Sequence, residues 1–89
     1  MPEVVREDDA DSAGQIPEEF SPDVVVENKK VFRHGDPDKA GDVVNSDTAL
    51  DATAYNVFVN NKPAVLKGDE DTANHTQINA ASNVFFGPP

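Results

Sequence analysis

Ser21-Pro22-Asp23-Val24-Val25-Val26-Glu27-Asn28-Lys29-Lys30-Val31-Phe32-Arg33-His34-Gly35-Asp36 lies, at a constant offset of 33 and without a gap, over Ala54-Tyr55-Asn56-Val57-Phe58-Val59-Asn60-Asn61-Lys62-Pro63-Ala64-Val65-Leu66-Lys67-Gly68-Asp69. Identities fall at Val24/Val57, Val26/Val59, Asn28/Asn61, Lys29/Lys62, Gly35/Gly68 and Asp36/Asp69. Each copy reads as an outgoing strand, a tight turn, a return strand and a Gly-Asp stop. The turn has a physical reason. Glu27-Asn28 and Asn60-Asn61 separate β-rich runs, and a two-residue hairpin loop of the primed type needs positive φ. Asparagine accepts that conformation more readily than any residue but glycine, so Asn28, Asn61, Gly35 and Gly68 are the expected structural turn positions. Pro63 opens a return strand, where its missing N–H does least harm. Val57 with Leu66, and Val24 with Arg33, are expected as the outer pairs of the two hairpins.

A third copy is divided between the two ends of the chain. Ala81-Ser82-Asn83-Val84-Phe85-Phe86 repeats the outgoing strand, and Val5-Arg6-Glu7-Asp8-Asp9 repeats the return strand and stop. The connections agree: Asp9 to Ser21 and Asp69 to Ala81 are both 12 apart, and Asp36 to Ala54 is 18. The expectation is one all-β domain over residues 1–89, built of three hairpin arms about a pseudo-three-fold axis. One arm is closed by pairing of the N- and C-termini. Val84-Phe85-Phe86 should run antiparallel to Glu3-Val4-Val5, with Val84 near Arg6 and Gly87-Pro88-Pro89 in place of a turn.

Composition agrees with strands. Twelve valines stand against two leucines among 89 residues, and β-branched side chains fit a pleated surface while losing χ1 freedom in helices. Valine, leucine, isoleucine and phenylalanine together number 21, a thin inventory for a core. Burying part of it against a partner is therefore expected, and the outgoing-strand residues Val24, Val26, Val57, Phe58, Val59, Val84 and Phe85 are the candidate docking positions. The chain contains no cysteine, which removes disulfides and thiolate metal sites. A formal net charge of −10 repels nucleic-acid phosphates and anionic headgroups, so no nucleic-acid partner is expected. Thirteen of the 17 acids lie in the connections 8–20, 36–53 and 69–80. The beginning of the chain has neither the basic start nor the apolar stretch of a signal peptide, and synthesis and retention in a cytoplasm are expected.

In the order of these elements the sequence resembles the PAAR-repeat family, small conical proteins that tip the central spike of contractile injection machines. The family pattern runs from a return strand ending in Gly-Asp, through a connection with a histidine, to a Ser-x-Asn-Val strand, an Asn-Gly hairpin and a Pro-Ala-Ala-Arg tetrapeptide. Gly68-Asp69, His75, Ile78 and Ser82-Asn83-Val84 fall in that order. Pro63-Ala64-Val65-Leu66 keeps half of the tetrapeptide, Val31-Phe32-Arg33 and Val5-Arg6 keep its arginine, and Met1-Pro2 resembles the usual start. The resemblance covers essentially the whole chain and implies a pseudo-three-fold β-cone. As a monomer it would cap a trimeric β-helical spike or hub protein and make transient contact with a target cell envelope as the spike pierces it. It implies a structural part at the tip of a virion tail baseplate, made in the host cytoplasm, or of a related type VI-like secretion machine. The lack of any toxin-like extension leans toward a phage.

The resemblance also implies zinc near the vertex, held in the family by histidines and a cysteine. This chain offers His34 and His75 only. Gln15 and Asp42 stand, like His75, six residues after a stop aspartate, and a neutral amide with a carboxylate makes a poor zinc set. No cofactor is expected. Were zinc or iron held, His75 would be the first ligand and His34 the second, although His34, aligned with Lys67 and Glu7, reads as an exposed strand end. Asp36-Pro37-Asp38-Lys39-Ala40-Gly41-Asp42 with Asp47 imitates a calcium loop, but Ala40 deletes a ligand, so it reads as a solvated acidic loop. No nucleophile–base pair, phosphate loop or basic patch is visible, so there are no catalytic candidates and no enzyme is expected. A second class fits the charge: a small acidic binding module that mimics DNA and blocks a nucleic-acid-binding protein.

Overall fold

The computed structural model describes residues 3–45 and 54–85. Asp47, Phe86 and Gly87-Pro88-Pro89, which carried expectations above, lie outside them, as does the Met1-Pro2 start. Among the described residues there is no helix; four short strands form two antiparallel hairpins, β1 (Val25–Val26) with β2 (Lys29–Lys30) and β3 (Ala54–Val59) with β4 (Lys62–Ala64). Both turns are two residues long with positive φ throughout: 51° and 68° at Glu27 and Asn28, 54° and 68° at Asn60 and Asn61. That is the primed geometry whose twist matches the strands it joins. Gly35 and Gly68 also take positive φ, 87° and 101°, and Asp8 holds the equivalent place at 70°.

The register differs from the expected one. Val26 faces Lys29 and Val25 faces Lys30, and the Val31 N–H donates to the Val24 carbonyl at 3.0 Å. Val24 therefore sits opposite Val31 rather than Arg33. In the central hairpin Val59 faces Lys62 and Phe58 faces Pro63, with an irregularity between Ala54 and Phe58, and Leu66 pairs with Val4 instead of Val57. The cause is the turn. Pairing Val24 with Arg33 would centre it on Asn28-Lys29, whereas the left-handed residues are Glu27 and Asn28, one position earlier, which shifts every partner by two.

The two ends of the chain do pair. Glu3 bridges Phe85 in antiparallel sense, the Val4 N–H donates to the Val84 carbonyl at 3.2 Å, and the Ala81 N–H donates to the Val4 carbonyl at 2.9 Å. Val84 thus meets Val4, not Arg6, which matches the Val24–Val31 contact of the first hairpin.

Three equivalent segments then join each other in a cycle. The Phe32 N–H donates to the Val5 carbonyl at 2.9 Å, the Val5 N–H to the Val65 carbonyl at 2.9 Å, and the Val65 N–H to the Phe32 carbonyl at 3.0 Å. A second cycle flanks it: Glu7 donates to Lys30, His34 to Pro63 and Lys67 to Glu3 at 2.8, 2.8 and 2.9 Å. The first cycle is the centre of one apolar cluster, where Val5, Phe32 and Val65 pack with Val44. The other cluster gathers Val4, Val31, Val59, Ala64, Leu66 and Ala81, with Val24, Val26, Val57 and Val84 packed against it. Successive residues of an extended segment point to opposite faces, and here both faces are buried: the adjacent pairs Val4 and Val5, Val31 and Phe32, and Leu66 and Val65 divide between the two clusters.

Polar clamps stitch neighbouring segments. Glu27, at the first turn, accepts Arg6 Nη1 at 3.2 Å and the N–H groups of Ser82 and Asn83 at 2.9 and 3.1 Å. These backbone donors, foremost that of Ser82, hold the Glu27 carboxyl below its ordinary pKa. Asn60, at the second turn, does the same one segment on, accepting Ser21 Oγ at 2.6 Å and Arg33 Nη1 at 3.3 Å.

Candidate functional site

Each Gly-Asp stop, or its equivalent, leads into an Asp-x-Asp turn, and the two aspartates have different surroundings. The first accepts the backbone N–H three residues before it: Arg6 on Asp9 at 2.8 Å, Arg33 on Asp36 at 3.2 Å and Leu66 on Asp69 at 3.0 Å. In two of the three an arginine forks onto the same carboxylate. Arg6 reaches Asp9 at 2.9 and 3.1 Å, and Arg33 reaches Asp36 at 2.7 and 3.0 Å. The planar guanidinium suits this two-point contact, and the Asp9 bond raises the already high pKa of Arg6 further.

The second aspartate is held equally well on one oxygen only. Oδ1 of Asp11 accepts the N–H groups of Ala13 and Gln15, Oδ1 of Asp38 those of Ala40 and Asp42, and Oδ1 of Asp71 those of Ala73 and His75, all at 2.9–3.0 Å. Positive φ at Gly14, Gly41 and Asn74 curls each turn so that both donors point at one atom. Asp11, Asp38 and Asp71 are 2%, 4% and 1% exposed. Their Oδ2 atoms, with Nδ1 of His75, are buried and have no hydrogen-bond partner among the described residues. His75 Nδ1 lies 3.8 Å from Asp11 Oδ2 and 3.6 Å from Asp71 Oδ2. Two groups are close enough to share an ion, Asp11–Asp71–His75 and Asp38–Asp42–Asp71. Burial, the dominant influence, pushes the Asp71 carboxyl above its ordinary pKa against the pull of the His75 and Ala73 N–H groups, and Asp11 adds to the rise.

The sequence-predicted site residues separate. His75 does stand between carboxylates. His34 faces a different one, its Nε2 3.9 Å from Asp69 Oδ2, and it is 8% exposed rather than an exposed strand end. Its backbone N–H is tied to the Pro63 carbonyl within the second cycle, and burial lowers the pKa of its ring. Gln15 and Asp42 occupy the places equivalent to His75, each donating its N–H to an aspartate, but Asp42 groups with Asp38 and Asp71 rather than with His75. A zinc centre of the cysteine–histidine kind does not fit these residues: there is no cysteine, and the histidines face separate carboxylates. The loop Asp36–Asp42 is not a solvated acidic loop, because Asp36 and Asp38 are buried by their backbone donors.

Of the candidate docking residues, Phe58 and Phe85 are 60% and 46% exposed, and Val25, one position from two of the others, is 52% exposed. Val24, Val26, Val57 and Val84 are partly buried against the core, and Val59 is within it. Val25, Phe58 and Phe85 hold equivalent positions in the three copies of the repeat, so one exposed apolar side chain occurs in each. The Asp11–Asp38–Asp71 set was equally available from the repeat, since Asp9-Ala10-Asp11, Asp36-Pro37-Asp38 and Asp69-Glu70-Asp71 align. No protein-family model, curated protein or solved structure matches the chain.

Proposed function

We propose that the chain is the structural tip of the central spike of a contractile injection machine, most simply a phage tail baseplate. There it caps a trimeric β-helical spike and leads it into the target envelope. The observation that carries this reading is the closed cycle of Val5, Phe32 and Val65. We read it as joining three equivalent arms of one chain, and a monomer with such arms can satisfy a three-fold partner. On this reading the arms form a conical pseudo-three-fold β-fold, and Val25, Phe58 and Phe85 ring its broad base as three matched apolar contacts. Val24, Val26, Val57 and Val84 support them from beneath, and Val59 sets the strand from within the core. The acidic DNA-mimic reading has less to rest on. It needs carboxylates spread along an elongated surface, whereas Asp9, Asp11, Asp36, Asp38, Asp69 and Asp71 are buried in a body measuring 25 × 25 × 23 Å.

The test is co-expression with a trimeric β-helical spike protein of a contractile tail, followed by size exclusion with light scattering. One copy per spike trimer is expected, and Phe58→Asp and Phe85→Asp should each abolish the complex while leaving the circular dichroism spectrum of the free chain unchanged. Assembly undisturbed by both variants would overturn the docking surface. Retention of the chain by DNA-binding proteins instead of the spike would overturn the reading as a whole.

A further inference from the structure

We propose that Asp11, Asp71 and His75 bind one divalent cation of the hard, oxygen-preferring class that still accepts a single imidazole, of which Mn2+ is the representative. The three atoms that would ligate it, Asp11 Oδ2, Asp71 Oδ2 and His75 Nδ1, are three of the five buried side-chain atoms left without a hydrogen bond among the described residues, the others being Asp38 Oδ2 and His34 Nε2. One ligand atom from each of the three residues lies within 4.8 Å of the others. Buried polar atoms are nearly always partnered, so a cluster of orphans calls for a ligand. The contrast within each turn sharpens this. Asp9 and Asp36 are neutralised by Arg6 and Arg33, yet among the described residues Asp11 and Asp71 have His75, and no lysine or arginine, as an ion-pair neighbour. Two carboxylates buried to 98% and 99% and set side by side repel each other unless positive charge enters between them.

The site is also rigid in the way a metal site needs. The two N–H donors on each Oδ1 fix the carboxylate plane and leave Oδ2 aimed at the common point, the role that outer hydrogen bonds play around metal ligands. Adjacent ligands on an octahedral ion are about 1.4 bond lengths apart, roughly 3.3–3.7 Å at the 2.3–2.6 Å bonds of Ca2+ and roughly 2.8–3.0 Å at the 2.0–2.1 Å bonds of Mg2+. Around an ion of intermediate size such as Mn2+ the separations of 3.6 and 3.8 Å would contract by several tenths of an ångström, about one side-chain adjustment of the His75 ring. Two carboxylates and one imidazole disfavour a soft thiolate-seeking ion and favour Mn2+ over Ca2+ and Mg2+, which take oxygen throughout; Zn2+ also accepts carboxylate and imidazole, so it is the competing ion in the test. Asp38 and Asp42 also group with Asp71 and add negative charge near the ion. The ion would stand whether or not the chain caps a spike.

The experiment uses the full chain freed of metal with a chelator, near neutral pH, titrated separately with Mn2+, Ca2+, Mg2+ and Zn2+. Binding is read by calorimetry and, for Mn2+, by loss of the free-ion electron paramagnetic resonance signal. One equivalent of Mn2+ should bind more tightly than Ca2+ or Mg2+, and at a hundredfold excess over its dissociation constant the thermal midpoint should rise by roughly 10 °C or more. Asp71→Asn and His75→Ala should each weaken binding at least ~10-fold. Asn at 71 still offers an oxygen to the Ala73 and His75 N–H groups, and the His75 side chain is 35% exposed, so these variants should fold. Absence of binding by all four ions up to about 1 mM, the weakest range of extracellular calcium modules, would overturn the proposal. So would binding undiminished in both variants, or binding of Zn2+ alone. A metal-free Asp71→Asn protein that melts higher than its parent, with no cation bound by either, would assign the pair a shared proton instead.

Discussion

Asp36→Ala separates the buried arginine fork from the rest of the fold, and its cost can be worked from the contacts. Asp36 has 0% side-chain exposure and Arg33 11%. The carboxylate takes two bonds from the guanidinium, one from the Arg33 N–H and a longer one, 3.4 Å, from Lys62. Alanine leaves the guanidinium desolvated without its partner, which costs about 3–5 kcal/mol in comparable buried pairs. It also orphans the backbone N–H, at ~1–3 kcal/mol when fully buried. These losses overlap, and about 4 kcal/mol is the expected total. Against a native stability of ~5–15 kcal/mol that lowers the thermal midpoint by roughly 15–30 °C, measurable by far-ultraviolet circular dichroism. The central arm suggests the rescue. There Leu66 occupies the place of Arg33 and is fully buried, so Asp36→Ala combined with Arg33→Leu removes the orphaned charge and should recover about 2 kcal/mol. Arg33→Leu alone should cost less than Asp36→Ala, because the carboxylate keeps the backbone donor and Lys62. A loss below ~1 kcal/mol for Asp36→Ala, or a double variant no more stable than Asp36→Ala, would refute the reasoning.

Deleting residues 1–6 removes Val4 and Val5, both fully buried, at ~1.5–3 kcal/mol each, together with two bonds of the central cycle and the partner of Asp9; loss of cooperative thermal unfolding is expected, and a truncated chain that melts like the parent would disprove closure by the chain ends. His34 supplies a pH dependence. Burial lowers its folded pKa from 6.5, so as pH falls below about 6.5 the unfolded chain binds a proton that the folded chain resists, stability declines, and the decline ends below the folded pKa. His34→Gln should show a smaller stability difference than the parent between pH 7.5 and pH 5 in urea unfolding, both values being chosen to bracket the histidine range of about 6.5; equal differences would remove the assignment.

How much of this was legible depended on whether backbone geometry or side-chain environment decided the matter. Asn28 and Asn61 announced the hairpin turns because positive φ is a local demand that few residues meet. The pairing of Glu3 and Val4 with Phe85 and Val84 was legible because Val84-Phe85 repeats Val57-Phe58 while Val4-Val5 repeats Val31-Phe32 only loosely but at the right distance from an Asp stop. The register was misjudged by two because Glu27, an unfavoured residue for the left-handed region, takes it anyway, with its carboxylate fully engaged by Arg6, Ser82 and Asn83. Loop aspartates read as solvated, since nothing in Asp-x-Asp itself says that N–H groups two and four residues on will turn back to Oδ1 of Asp11, Asp38 and Asp71 and carry them inside. His34 failed for a similar reason: its counterparts Glu7 and Lys67 are polar, yet the His34 ring is buried with Nε2 3.9 Å from Asp69 Oδ2.

The cycle joining Val5, Phe32 and Val65 has a kinetic consequence. Its bonds span 27, 33 and 60 residues of an 89-residue chain, so no contiguous stretch contains all three partners until residue 65 has emerged. Either hairpin alone is two-stranded and too small to persist in water. Loop-closure entropy must be met over most of the sequence before the apolar clusters repay it. The chain should therefore fold slowly for its size, in one concerted step and after rather than during synthesis, with a high contact order as the governing quantity. The same threading works in reverse: separating any one strand of the cycle breaks two of its three bonds at once, which favours a steep barrier to unfolding.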